Sequence, residues 1–126
     1  MQYLLLIYAN ESESASRFGD PDARSDYLTA FGSYTESLAE SGKMLGGEAL
    51  HGVSSATTVR VRDGRTLTAD GPFAETKEQL GGFYFVEAED LDDAIAWASK
   101  IPTAEFGSIE VRPILNWEAG ETWEPS

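Results

Sequence analysis

The sequence predicts one α+β domain, a ferredoxin-like sandwich in the order β-α-β-β-β-α-β with one extra hairpin element. Three observations carry that expectation. Residues 3–8 and the stretch "GFYFVEA" (82–88) are nearly continuous apolar runs of strand length. Each is followed by a capping aspartate and a stretch with helical apolar spacing. A chain of 126 residues, 41% of them apolar, suits a single core and leaves too little for a second. The domain is expected to span 1–115, with a C-terminal tail at 116–126.

The first strand is followed by a polar loop. Asp20 then caps a helix with Pro21 at its first position, where a missing N–H does no harm. Tyr27, Phe31, Tyr34 and Leu38 recur at steps of four, three and four, a single apolar stripe, and Gly42 supplies a left-handed cap. Residues 44–50 form a second strand interrupted by Gly46-Gly47. In 56–62, Val59 and Val61 alternate with Arg60 and Arg62; Asp63-Gly64 provides a tight hairpin turn, and 65–68 return. After 82–88, Asp90 caps a second helix with Asp92 and Asp93 in its first turn and Leu91, Ala94, Ile95 and Ala98 on one face; Pro102 stops it. Ile109 and Val111 alternate with Glu110 and Arg112 in a last strand ended by Pro113. The tail "NWEAGETWEPS" has two tryptophans and no period, so it is expected to lie over the surface or a partner.

Two helices cover one face of a four-stranded antiparallel sheet, yet both apolar strands are apolar on both faces. A second copy is the cheapest cover for the other face. The expected assembly is a homodimer through the sheet face, of the dimeric α/β barrel type, with a cavity between or beside the sheets.

Composition removes several chemistries. The chain has no cysteine and one histidine, so disulfides, thiolate nucleophiles and a zinc site are not expected. A net charge of −13 disfavours nucleic acid as a partner and otherwise serves solubility. No apolar run is long enough to span a membrane, and the start lacks the basic residues of a secretory signal, so Met1 is read as the start of a cytoplasmic fold. No P-loop, dinucleotide fingerprint or serine-nucleophile motif is present, and no cofactor is expected.

The chemistry-bearing candidates cluster in two places. Asp70-Gly71-Pro72-Phe73 begins as a hairpin dipeptide, but Pro72 has no N–H and biases Gly71 toward extended geometry, so the chain must leave the sheet there. Asp70 is either an acid that shapes this exit through an Asx-turn or a site on it. Phe73 reads as the plug that seats the departing loop, and "AETKEQ" as one or two helical turns with Glu75, Lys77, Glu78 and Gln79 outward. Gly81-Gly82 permits a sharp entry into the strand or close backbone approach. His51, the side chain whose ordinary range straddles neutrality, follows "GGEAL" at the head of a loop and is the first candidate for proton transfer. Strict alternation points Glu48 away from it.

The segment "DGPFAETKEQLGGFYFVEAEDLDDAIAWASKIP", with "GGEAL" and "TTVRVRDGRTLTADG" before it and "EVRPI" after it, resembles the DGPF proteins, a subgroup of the YCII-related family. The resemblance runs from about residue 3 to 114. It implies a ferredoxin-like dimer, cytoplasmic and bacterial, often encoded beside an extracytoplasmic-function sigma factor. Some members of the wider family resemble dehydrochlorinases of hydroxylated aromatics, with a His-Asp pair whose histidine belongs to the first helix. This chain has no histidine between residues 21 and 41, so that pair does not carry over. The positions that match are Gly46, Gly47, Glu48 and Ala49 before His51, then 70–73 with Glu75, Thr76, Lys77 and Glu78, and Gly81-Gly82. The resulting expectation is a small apolar or aromatic molecule held in a dimer cleft, with Asp70 and His51 moving protons and Gly47, Glu48, Gly71, Pro72, Phe73 and Lys77 contacting it. The alternative is a non-catalytic accessory of a sigma factor. Whether the protein is an enzyme stays open at this level.

Overall fold

The computed structural model describes residues 1–125; Ser126, the end of the expected tail, lies outside the described residues. Six strands and three helices follow in the order β1 (Gln2–Ala9), α1 (Glu11–Arg17), α2 (Pro21–Glu40), β2 (Met44–Ala49), β3 (Thr57–Arg62), β4 (Arg65–Asp70), β5 (Gln79–Glu87), α3 (Leu91–Ser99) and β6 (Ser108–Pro113). The main sheet is antiparallel with strand order β2-β5-β1-β6, the ferredoxin-like arrangement. β3 and β4 stand apart as a two-stranded sheet, with Asp63 and Gly64 both at positive φ in the turn.

Period-two alternation sorts the sheet's side chains. Tyr3 faces Val86 and Leu5 faces Tyr84 across β1 and β5, and all four are buried beneath Tyr34 and Leu38 of α2 and Ala94 and Ala98 of α3. Val111 pairs with Leu5 on the same side. Burying such side chains from water stabilises the fold by about 1.5–3 kcal/mol each. On the opposite face Leu4, Leu6, Phe83 and Phe85 are half-buried in the single chain.

Both long helices start as their sequence dictates. Asp20 accepts from the Ala23 N–H and Asp90 from the Asp93 N–H, each capping its helix. Gly42, at φ +79°, lets the chain turn left-handed out of α2 toward β2.

Four expectations are corrected. The polar stretch after β1 contains a helix: Asn10 caps α1 by accepting from the Glu13 N–H, Glu11 and Glu13 occupy the positive end, and Arg17 the negative end. "AETKEQ" is not helical. Its carbonyls are taken by side chains instead, Lys77 O by Asn10 Nδ2 at 2.8 Å, Thr76 O by Gln79 Nε2 at 2.6 Å and Glu78 O by Thr76 Oγ1 at 2.5 Å. On α3, Leu91 and Ile95 are about half exposed, and Trp97 packs against the core with Ala94 and Ala98. The Tyr34 hydroxyl donates to Trp97 O at 3.0 Å, and Lys43 Nζ reaches Asp93 Oδ2 at 2.5 Å, which together fix how this two-turn helix is rotated. Phe73 plugs nothing in the single chain, being 79% exposed.

Candidate functional site

The sheet and α2 do not meet evenly. Toward the C-terminal end of β1 they part to leave a cavity of about 590 Å³. Ile7, Gly47, Gly82 and Tyr84 contribute from the sheet, Tyr27, Phe31 and Thr35 from α2, and Phe18 from the α1–α2 junction. Glu11, Ser14 and His51 also line it.

The paired glycines open this space. A Cβ at Gly47 would come within 2.9 Å of Tyr84 Cδ1 and 3.0 Å of Phe83 O, and one at Gly82 within 2.8 Å of Glu48 O. Any larger residue at either position must push apart β2, β5 or the Tyr84 ring.

Aromatic rings set the walls. Phe18 stacks on Tyr27 at 4.1 Å between centroids, and Phe31 meets Tyr27 edge-on at 5.1 Å. Their hydroxyls are tied down. Tyr27 Oη and Thr103 Oγ1 lie 2.6 Å apart, as do Tyr84 Oη and Thr35 Oγ1. Thr35 spends its one proton on Phe31 O at 2.9 Å, so Tyr84 is the donor in its pair and keeps acceptor capacity on its oxygen.

Burial raises the Tyr27 phenol above its ordinary range; the Thr103 hydrogen bond pulls it down less, and the neighbouring Tyr84 adds to the rise. Burial drives Tyr34 well above the phenol range, with Tyr84 contributing in the same direction. Both are neutral O–H groups at pH 7 and neither serves as a base there.

Glu11 was not foreseen. The Val53 N–H donates to its carboxylate, 2.9 Å to one oxygen and 3.3 Å to the other, while the Glu11 N–H donates to Gln79 Oε1 at 2.9 Å. An acid from α1 thus grips the start of the 3₁₀ turn Val53–Ser55, two residues beyond His51. The local signal was the Asn10 cap; the contact across 42 residues left no trace in the sequence.

The expected site residues divide into two groups. Gly47, Glu48 and His51 line the cavity, with Glu48 and His51 exposed. Asp70, Gly71, Pro72, Phe73 and Lys77 do not line it. Asp70 ends β4 opposite Thr57 and is exposed. The turn after it is closed by the Gly71 N–H donating to Ala56 O at 2.7 Å and by Thr58 Oγ1 donating to Gly71 O at 2.8 Å. Gly71 sits at φ +93°, left-handed rather than extended, a conformation glycine alone adopts freely. Pro72 and Phe73 line a separate hollow with Tyr8 and Leu80. Alternation along β1 puts Tyr8 on the face away from the helices, so the two groups serve opposite faces of the sheet.

Among the described residues no group of three or more His, Asp or Glu is placed to hold a metal ion, and no helix is long and apolar enough to cross a membrane.

A family model for the YCII-related domain matches residues 1–118. The chain belongs to the YCII-related family. It is 36% identical over 123 residues to an uncharacterized protein of Rhizobium meliloti (strain 1021), a match covering 96% of this chain and 98% of that one. Among solved structures it is similar to the 5-chloro-2-hydroxyhydroquinone dehydrochlorinase of Burkholderia phenoliruptrix AC1100 in complex with 2,5-dihydroxybenzoquinone. That match has a TM-score of 0.54 at 18% identity and covers 94% of this chain and 98% of the other. At that identity the likeness speaks for the shared α+β fold of this YCII-related chain.

Proposed function

We propose that this YCII-related protein binds a small aromatic molecule in the cavity beneath α2, with His51 at its edge exchanging a proton with a ring hydroxyl. The observation that carries this reading is the cavity itself: about 590 Å³, walled by Phe18, Tyr27, Phe31 and Tyr84 and opened by Gly47 and Gly82. Burial raises the Tyr27 phenol above its ordinary range, and an imidazole at the cavity's edge is the side-chain type suited to acid-base work near neutrality. The dehydrochlorinase of similar fold was solved with a dihydroxylated ring compound, which agrees with this ligand class. Asp70 has no part in the proton transfer in this reading, since it lies outside the cavity.

The same reading assigns the outer face to a second copy. Leu4, Leu6, Phe83 and Phe85 are half-buried on this face, Phe73 lines the hollow beside Tyr8 and Leu80, and the separate β3–β4 hairpin exposes Val59 and Val61 at 60% each. A homodimer through this face would bury these side chains and enclose Pro72 and Phe73. Sedimentation equilibrium of the wild type and of Val61→Asp tests it; a wild-type monomer at micromolar concentration argues against the dimer and returns the hairpin to another protein partner, a sigma factor included.

Isothermal titration with 4-ethylphenol tests the binding claim. A Kd of about 0.1–1 mM is expected for a ligand of this size. Gly47→Val should abolish it. Heat of dilution alone from the wild type would remove the reading.

A further inference from the structure

We infer that the cavity selects uncharged or cationic hydroxylated aromatics and rejects anionic ones, an inference that rests on the binding reading above. The carboxylate along its lining is that of Glu11, since Glu48, paired with Phe83, directs its side chain to the other face of the sheet; none of the chain's nine lysines and arginines lines it. Those cations are engaged or placed elsewhere. Arg17 lies over the Phe106 ring, Lys100 over Trp97, Arg24 bonds the carbonyls of Phe18 and Gly19, and Lys43 pairs with Asp93. Arg60, Arg62 and Arg65 ride on the β3–β4 hairpin, Arg112 on β6 beside Glu110, and Lys77 in the loop after β4.

The hydrogen-bonding balance points the same way. The Val53 N–H is committed to Glu11 and the Tyr84 O–H to Thr35, so neither is free to receive an anion. The Tyr84 oxygen and the outer lone pairs of Glu11 are acceptors, while the Tyr27–Thr103 pair and Ser14 keep uncharged hydroxyls that donate as well as accept. A ligand fitted to these supplies O–H or N⁺–H donors. The field of a chain carrying a net charge of −13 adds to the exclusion of anions.

Three compounds of one skeleton separate the possibilities at about pH 8: tyramine with an ammonium tail, 4-ethylphenol without charge, and 4-hydroxyphenylacetate with a carboxylate. Calorimetric titration into the full chain should rank tyramine at or above 4-ethylphenol and place the carboxylate at least about tenfold weaker, with the gap narrowing as salt is raised. Glu11→Gln, whose amide oxygen still accepts from Val53, should bring the three affinities together; circular dichroism verifies its fold. A carboxylate that binds as tightly as the amine overturns the inference and leaves the cavity reading standing. Silence from all three overturns the cavity reading, and this inference with it.

Discussion

Two regions of the molecule carry the sequence's most noticeable features, and they are built in opposite ways. Under α2, glycines at 47 and 82 stand where any side chain would collide, and the space they clear is lined by rings whose hydroxyls are held by Thr35 and Thr103. At the DGPF turn, Gly71 takes a left-handed conformation with open space around it, Asp70 is exposed, and Phe73 projects from the chain. In the first region glycine is required by packing; in the second it is required by backbone geometry. The difference teaches that a sequence signature and a chemical site need not coincide. A turn that must leave the sheet constrains its residues as strictly as a pocket does.

The contrast breaks most visibly in stability. Leu38→Ala, at a fully buried position in the core under α2, should cost about 2–5 kcal/mol in urea unfolding, whereas Phe73→Ala should change monomer stability by about 0.5 kcal/mol or less. Equal costs would mean that Phe73 is packed in solution, as the dimer proposes. Gly47→Val should cost about 1–3 kcal/mol through the collision with Tyr84, and Gly71→Ala about 1–2 kcal/mol through its φ alone. Only the first should abolish ligand binding. If Gly71→Ala removes binding as well, the two regions form one site.

The smallest effect lies away from both regions, in the Lys43–Asp93 pair. The Lys43 hydrogen bond, with the Glu89 N–H, holds Asp93 below its ordinary pKa; the bond to Asp93 raises Lys43 above its own. Asp93's contribution is therefore full above its unfolded pKa of about 4 and lost as pH falls through its lower folded value; that of Lys43 is full below about 10 and lost as pH rises above its folded value. Lys43→Met should lower the Tm by about 2 °C or less at neutral pH, and the two curves should converge in strong acid.

Much of the fold was legible because its signals are local. Asp20 and Asp90 cap helices, Gly42 turns left-handed, and the runs at 3–8 and 82–88 are the central strands. α1 was hidden by its polarity, having no buried residue to create a stripe. "AETKEQ" failed as a helix because Asn10, distant in sequence, takes the Lys77 carbonyl. At the site, the glycine pairs and His51 could be singled out by residue type. Tyr27 and Phe31, read only as a core stripe, are half-buried because their rings also face the cavity. Glu11, Thr35 and Thr103 could not be found, since their roles exist only once α1, α2 and the segment before β6 meet over the sheet.

Amide NMR of the wild type during titration with 4-ethylphenol tests the central claim most directly. The account predicts saturable shifts at Gly47, His51, Gly82 and Phe31, with Gly71 and Phe73 unmoved. Shifts confined to Asp70, Gly71 and Phe73 would contradict it and return the chemistry to the turn.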